Sequence, residues 1–406
     1  MAEKREWSLR GLSVIAFAHG VSDFYAAIVP FTLYLVLSQQ HISPAYQGVL
    51  FLLWYVASSI VQPLFGAYTD RKGQWWFLPA ALALVVVCIS IAGVVSSMWL
   101  LAVLILIGGI GSAVLHPEGG KYSAMLSGKR RASGISIFQI GGQLGYSLGP
   151  VVIAILYAKL GGLGSLLLMV PGAIAVAVVF SVMRRVDRSA LEVHHDSAPA
   201  NAGSGGPVDR VGVGLLVTST ALRHFTSAAF IVFLPNFLVA RMMLAGLSRE
   251  AAIPIAGEVV TAFLLISVLG LFLGGTLSDR FGPVRISVVA LCGAVPFLFA
   301  FFALPGALGI GMLLIASVLL AVQNAPGVAI VQAMLPKNLG MALGLMNGVA
   351  FGAGSALVAV LGVVVAQYGA QAALEGASVT PLVAALAYLV VNGRLPALHA
   401  RPAMGS

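Results

Sequence analysis

The 406-residue chain is 60% hydrophobic and only 9% charged, and its 22 Lys and Arg outnumber 13 Asp and Glu to give a net charge of +9. Its mean hydropathy is +1.02. A soluble protein carries about 25% charged residues. So few polar groups could not cover a water-facing surface of this length, which excludes an ordinary soluble fold and makes lipid the solvent for most of the chain.

The polar start, Met1 to Arg10, leads into an apolar run with no small-residue cleavage site, so this run reads as a retained first helix and not a signal peptide. A bilayer-spanning helix needs about 20 mainly apolar residues. That measure predicts twelve segments, at approximately 11–37, 46–67, 75–95, 98–126, 132–158, 163–183, 212–239, 250–277, 284–303, 307–334, 339–366 and 376–393. A long polar stretch, 184–210, holds Arg184, Arg185, Arg188, His194, His195 and the run from Asn201 to Pro207, the composition of a flexible linker. The expected organisation is an all-α integral membrane protein: a six-helix bundle over 1–183, a cytoplasmic linker over 184–210, and a second six-helix bundle over 211–406. Cys88 and Cys292 lie deep in apolar runs and read as two small buried hydrophobes, not a disulfide.

Basic residues set the orientation. With a cytoplasmic N-terminus, seventeen of them, including Lys4, Arg71, Arg130, Arg185, Arg280 and Arg394, fall at cytoplasmic ends. Only Lys159, Arg241 and Arg249 fall on the other side, and Lys121 and Arg223 lie inside segments. Both termini are therefore expected in the cytoplasm. The basic excess is an orientation signal, which argues against a nucleic-acid partner.

The two halves repeat. Gly66-Ala67-Tyr68-Thr69-Asp70-Arg71-Lys72-Gly73 and Gly275-Thr276-Leu277-Ser278-Asp279-Arg280-Phe281-Gly282 both read G-x-x-x-D-R-x-G. His19-x-x-Ser22 with Pro30 matches His224-x-x-Ser227 with Pro235. Pro117 with Ala124-Met125-Leu126 matches Pro326 with Ala333-Met334-Leu335. Three correspondences in one order imply two halves related by an axis along the membrane normal, with a substrate path between them. In each loop, Asp can accept hydrogen bonds from a neighbouring helix N-terminus and Arg can bridge to a carboxylate, a clasp that would hold the cytoplasmic side shut. The competing reading is an ordinary charged loop.

Twelve segments, a central linker and this duplicated loop resemble the major facilitator superfamily, along the whole chain. That resemblance implies two six-helix bundles that rock around a central cavity. Gly141-x-x-x-Gly145-x-x-x-Gly149-Pro150 is similar to the glycine-proline motif of the superfamily's drug–proton antiporters, although Ile153-Ala154 stand where that motif ends in two glycines. Small residues at every fourth position also serve plain close helix packing. His19-x-x-x-Asp23, the string His116-Pro117-Glu118 and the string Ser136-Ile137-Phe138-Gln139-Ile140-Gly141-Gly142-Gln143 together resemble the fosmidomycin-resistance branch. Members are proton-driven exporters known for expelling a small phosphonate antibiotic. The Arg that many drug antiporters carry earlier in the fourth segment is absent here, around Ile105, so its coupling scheme does not carry over.

Ionisable groups inside a membrane segment cost about 2.5–3.5 kcal/mol even on the lenient insertion scale, which makes each a functional candidate. His19 and Asp23, and likewise Glu118 and Lys121, have the spacing of neighbours on one helix face. Burial disfavours a charged carboxylate and a nearby His or Lys favours it, so Asp23 or Glu118 could take and release a proton. Lys121, Arg223 and His224 could neutralise an anionic headgroup. Each pair could equally be a structural ion pair. Gln139, Gln143, Gln323, Asn324 and Asn347 could line a cavity or tie helices together. Glu258 ranks lower.

The expected function is a secondary transporter of the bacterial inner membrane, exporting a small, anionic organic compound against protons. Its partners are a small-molecule substrate, protons and lipid; the expected state is a monomer without cofactor or bound metal. The nearest alternative is an importer or symporter of a carboxylate or phosphorylated metabolite. A divalent-metal transporter using His19, His116 and His224 is a weaker one, since no tight ligand spacing appears. A membrane enzyme or an ATP-driven pump finds no supporting motif.

Overall fold

The computed structural model describes residues 8–72, 74–127, 131–185, 209–335, 341–342 and 344–393, without the side chains of residues 67, 69–72, 124, 131–133 and 347. Among them are only helices and the turns that join them. The first stretch runs α1 (Leu9–Gln39), α2 (Ala45–Tyr55), α3 (Gln62–Lys72), α4 (Phe77–Ala92), α5 (Met98–Leu126), α6 (Arg131–Leu160), α7 (Leu163–Leu167) and α8 (Met169–Met183). The second runs α9 (Arg210–Leu244), α10 (Arg249–Phe281), α11 (Pro283–Ala303), α12 (Gly306–Val322), α13 (Asn324–Met334), α14 (Ala350–Ala377) and α15 (Thr380–Asn392). Wider π turns, Val56–Ile60 and Gly344–Val349, follow α2 and precede α14.

Local signals account for several boundaries. The Ser8 and Ser97 side chains accept hydrogen bonds from the Gly11 and Leu100 amides and cap α1 and α5. Gly282 takes φ 90°, a conformation open to glycine, and its amide donates to the Ser278 carbonyl, ending α10. Pro283 then starts α11, where a missing N–H costs nothing. The helices show large apolar groups outward: Trp99, Leu244, Phe272 and Val360 are all exposed, as lipid allows and water does not.

Ten helical spans among the described residues are long and apolar enough to cross a membrane. The expected third segment is the 16-residue α4. The expected eleventh and twelfth run together in one 49-residue span, Gly344–Asn392, broken by a kink at Gly369, where φ is 86°, and by a turn at Ser378 and Val379. Length alone therefore gives ten spans where the hydropathy count gives twelve segments. Most of the expected linker lies outside the described residues. Both cysteines are free, but Cys292 is exposed on α11, contrary to the expectation of burial.

By contacts, the chain forms two compact units. The first holds the described residues within Met1–Ala200, with Ile231–Leu265 and Val358–Ala370; the second holds those within Asn201–Phe230, Ile266–Leu357 and Gln371–Ser406. In the first unit α1 packs along α6 more extensively than any other pair. Their backbones meet at small residues. A Cβ added to Gly20 would lie 2.7 Å from the Gly141 carbonyl oxygen, and one added to Gly149 would lie 2.6 Å from the Phe24 oxygen. One added to Gly145 would strike the Gly20 carbonyl. The predicted glycine series is thus the contact face of α6 against α1. Pro150 continues it onto a third helix: a Cβ at Gly257 of α10 would lie 2.9 Å from the Pro150 oxygen, and the Val151 amide donates to Thr261 Oγ1 at 3.1 Å.

In the second unit, α11, α13, α15 and the start of α9 enclose a core around Leu216, Leu291, Ile330, Val331 and Tyr388. Ser219 Oγ donates to the Ala384 carbonyl at 2.8 Å and ties α9 to α15. Replacing Gly145 with Val should force α1 and α6 apart and cost about 1–3 kcal/mol or more. The measurement is thermal unfolding of the purified protein in detergent; an unchanged melting temperature would show that the two backbones have room to separate.

Candidate functional site

The close approach of α1 and α6 sets two polar side chains of α1 into an otherwise apolar wall. His19 and Asp23 are one turn apart, with Nε2 to Oδ2 at 3.2 Å. His116 of α5 reaches the other carboxylate oxygen, Nε2 to Oδ1 at 3.3 Å. Asp23 thus sits between two imidazoles. The His19 side chain is 4% exposed, Asp23 17% and His116 29%, so the cluster opens on the His116 side.

Main-chain carbonyls fix both rings. His19 Nδ1 lies 2.8 Å from the Phe138 oxygen, and His116 Nδ1 lies 2.8 Å from the Ser112 oxygen. A carbonyl oxygen only accepts, so each Nδ1 carries a hydrogen and donates. A neutral ring of that tautomer holds a lone pair at Nε2. Bare nitrogen facing carboxylate oxygen at hydrogen-bond distance repels. A proton or another cation must therefore lie in each of the two contacts. Asp23 can supply at most one of these, because a protonated carboxyl has one hydrogen.

Packing sharpens the placement. The His19 ring stacks on Phe138, centroids 3.9 Å apart and planes 14° apart, and meets His116 edge-on at 5.0 Å. Gly142 passes beneath: a Cβ there would lie 2.6 Å from His19 Nδ1 and 2.7 Å from Asp23 Oδ2. Tyr146, one turn on, is within electrostatic range of Asp23. The donor atoms of His19, Asp23 and His116 all lie within 4.8 Å of one another, so these three are also the described residues that could hold a metal ion together.

The remaining candidates fall elsewhere. Glu118, 2% exposed, accepts a 3.0 Å hydrogen bond from Lys121, which also reaches the Gly66 carbonyl at 3.5 Å and so links α5 to the first G-x-x-x-D-R-x-G stretch. The side chains of Asp70 and Arg71, all of Gly73, and the side chain of Asn347 lie outside the described residues. In the second copy of that motif, Gly275, Asp279 and Arg280 close α10; Asp279 and Arg280 are exposed, and Arg280 lies over the Phe281 ring at 5.2 Å. Gln139 is exposed and Gln143 half-buried. Asn324 donates to the Ala321 carbonyl at 3.2 Å, and the buried Gln323 donates to Thr220 and Tyr388. Glu258 is exposed.

In the second unit Arg223, 4% exposed, and His224 share one aromatic partner. His224 stacks on Phe351 at 4.3 Å with planes 4° apart, and Arg223 stands 5.7 Å from the same ring centroid. His224 Nε2 lies 3.3 Å from Ser355 Oγ. The two repeated histidines therefore both stack on a phenylalanine, and the first also meets the Asp23 carboxylate. Sequence reasoning missed Phe138, Phe351, Gly142 and Tyr146. Phe138 and Gly142 sit inside the string that carries the family resemblance, where the amides Gln139 and Gln143 drew attention instead.

The family description "Major Facilitator Superfamily" matches residues 15–257. The chain is 27% identical over 389 residues to the fosmidomycin resistance protein of Escherichia coli (strain K12), covering 94% of this chain and 93% of that one. It is 26% identical over 387 residues to the MFS-type transporter YfnC of Bacillus subtilis (strain 168), covering 95% and 91%. Among solved structures, the nucleoside transporter NupG is similar in fold, with TM-score 0.73, 14% identity and coverage of 93% and 99%.

Phe138→Ala removes the ring beneath His19 and leaves the carbonyl. It should cost about 3–5 kcal/mol of packing and open His19 to solvent, read by mass spectrometry as faster modification by diethyl pyrocarbonate. Unchanged modification of His19 would show that Phe138 does not shield it.

Proposed function

The chain belongs to the major facilitator superfamily, and from that premise we propose that it is a proton-coupled secondary transporter exporting a small anionic organic compound of fosmidomycin's kind. The observation that carries this reading is Asp23 held between His19 and His116 within membrane-spanning helices. Such groups are costly in lipid and mark ion or substrate paths.

The arrangement supports proton exchange by simple counting. With a proton in both contacts the cluster carries a net charge of +1. With one it is neutral, and one Nε2 faces bare carboxylate oxygen. The exposed His116 contact is the one that opens, because the His19 ring is stacked, buried and backed by Gly142. One proton thus changes both the charge of the site and the attachment of α5 to α1. Arg223 and His224 are cationic or ionisable groups of the second unit suited to an anionic headgroup. The name of the Escherichia coli relative supports a drug-export role. Seventeen basic residues at one set of helix ends support a bacterial inner-membrane site with both termini cytoplasmic. The duplicated Asp-Arg loops act as the cytoplasmic latch, and the transporter works as a monomer by alternating access.

The test uses vesicles with an imposed pH gradient. Added substrate should drive protons across in the opposite sense; proton and substrate moving together would instead identify a symporter. Asp23→Asn cannot hold a charge between the rings. It should abolish gradient-driven transport while substrate exchange at equal pH persists. Gradient-driven transport at the normal rate would remove Asp23 from the coupling path.

A further inference from the structure

We propose that His19, Asp23 and His116 form a binding site for a divalent transition-metal ion of the Zn²⁺ class. The inference rests on the geometry of the cluster and not on the transported compound or the direction of transport. Three observations carry it. The first is spacing. Ligands about 2.0–2.1 Å from a tetrahedral zinc ion lie about 3.3–3.4 Å from one another. The two nitrogen-to-oxygen separations are 3.2 Å and 3.3 Å, one to each oxygen of Asp23, and one ligand atom from each residue lies within 4.8 Å of the others, so small side-chain shifts suffice to bring three ligands onto one ion.

The second is the outer layer of contacts. A metal-bound histidine usually donates its other ring N–H to a carbonyl or carboxylate, which fixes the tautomer and aims the lone pair. Both rings do so here, His19 to the Phe138 carbonyl and His116 to the Ser112 carbonyl. Both Nε2 lone pairs are therefore directed at Asp23. Stacking on Phe138 holds one ring and leaves the other, 29% exposed, at the open side.

The third is the chemistry of the set. Two imidazoles and one carboxylate suit Zn²⁺, Co²⁺ or Ni²⁺, whereas Mg²⁺ and Ca²⁺ need oxygen ligands. The exposed face leaves a fourth position for water or an anionic group. An ion seated there occupies the Nε2 lone pairs and ties α1 to α5, which arrests the exchange at the His116 contact.

The test is direct titration of the purified full chain with Co²⁺, without substrate or gradient. The expected result is visible d–d absorption of a four-coordinate site, displaced by Zn²⁺. His116→Ala should weaken binding by more than about tenfold. His116→Cys, which keeps a donor, should restore it and add thiolate-to-cobalt absorption. A double change His194→Gln with His195→Gln should leave the spectrum unaltered. No absorption, or absorption that survives His116→Ala and vanishes with the His194 and His195 changes, overturns the proposal. Failure here leaves gradient-driven transport untouched, and absence of proton-coupled transport by the unchanged protein, with cobalt binding intact, would refute the proton reading alone.

Discussion

The whole arrangement of the first unit depends on two helix backbones in direct contact. Where α1 meets α6, carbonyl oxygens of one helix lie where side chains of the other would begin. In lipid there is no hydrophobic force between helices, so close van der Waals packing of this kind is what association draws on. The same approach has a chemical result. Gly142, with no side chain, leaves the space that the His19 ring and the Asp23 carboxylate occupy, and the ring at position 19 lies where Phe138 and Asp23 hold it.

From there electrostatics takes over. A carboxylate flanked by two imidazoles whose other nitrogens are already spoken for is incomplete without positive charge in between. Among apolar helices it must come from protons or a bound ion, and its arrival or departure changes the net charge where the dielectric is low. A group with that property couples charge movement to helix attachment, because α5 is held to α1 through His116.

Much of the fold was legible because apolar length is a strong signal. Most apolar segments coincide with described helices, including an α5 that stays continuous through Pro117, although the helix expected at 339–366 runs over Ala350–Ala377. The short α4 and the fused Gly344–Asn392 span escape a length rule because helix ends depend on turns, not on apolarity. The site was legible only in part. His19 and Asp23 announce themselves by their spacing on one helix. His116 stands 93 positions from Asp23 in sequence, and only the packing of α5 on α1 brings them together. Phe138 and Gly142 carry no charge and look like ordinary membrane residues, yet one shields the site and the other makes room for it. Gln139 and Gln143 looked more chemical, but a polar side chain on a helix declares nothing about which face it occupies.

The paired histidine–phenylalanine stacks bear on how such a protein diverges. His19 and His224 are 205 positions apart, whereas Phe138 and Phe351 are 213 apart, about two helical turns of extra offset. The register is nevertheless the same in both pairs of helices: a Cβ added to Gly141 would strike the Ala16 carbonyl and one added to Gly354 would lie 2.6 Å from the Ala221 oxygen, at those same two offsets, so the difference lies in the length of the connecting chain. The stack is thus part of the repeat itself, kept together with the backbone approach beside it. The carboxylate cluster is not part of it: Ala228 stands at the place of Asp23 and Ala325 at the place of His116. One copy of the repeat therefore carries a carboxylate between two imidazoles, while the other sets Arg223 next to its histidine.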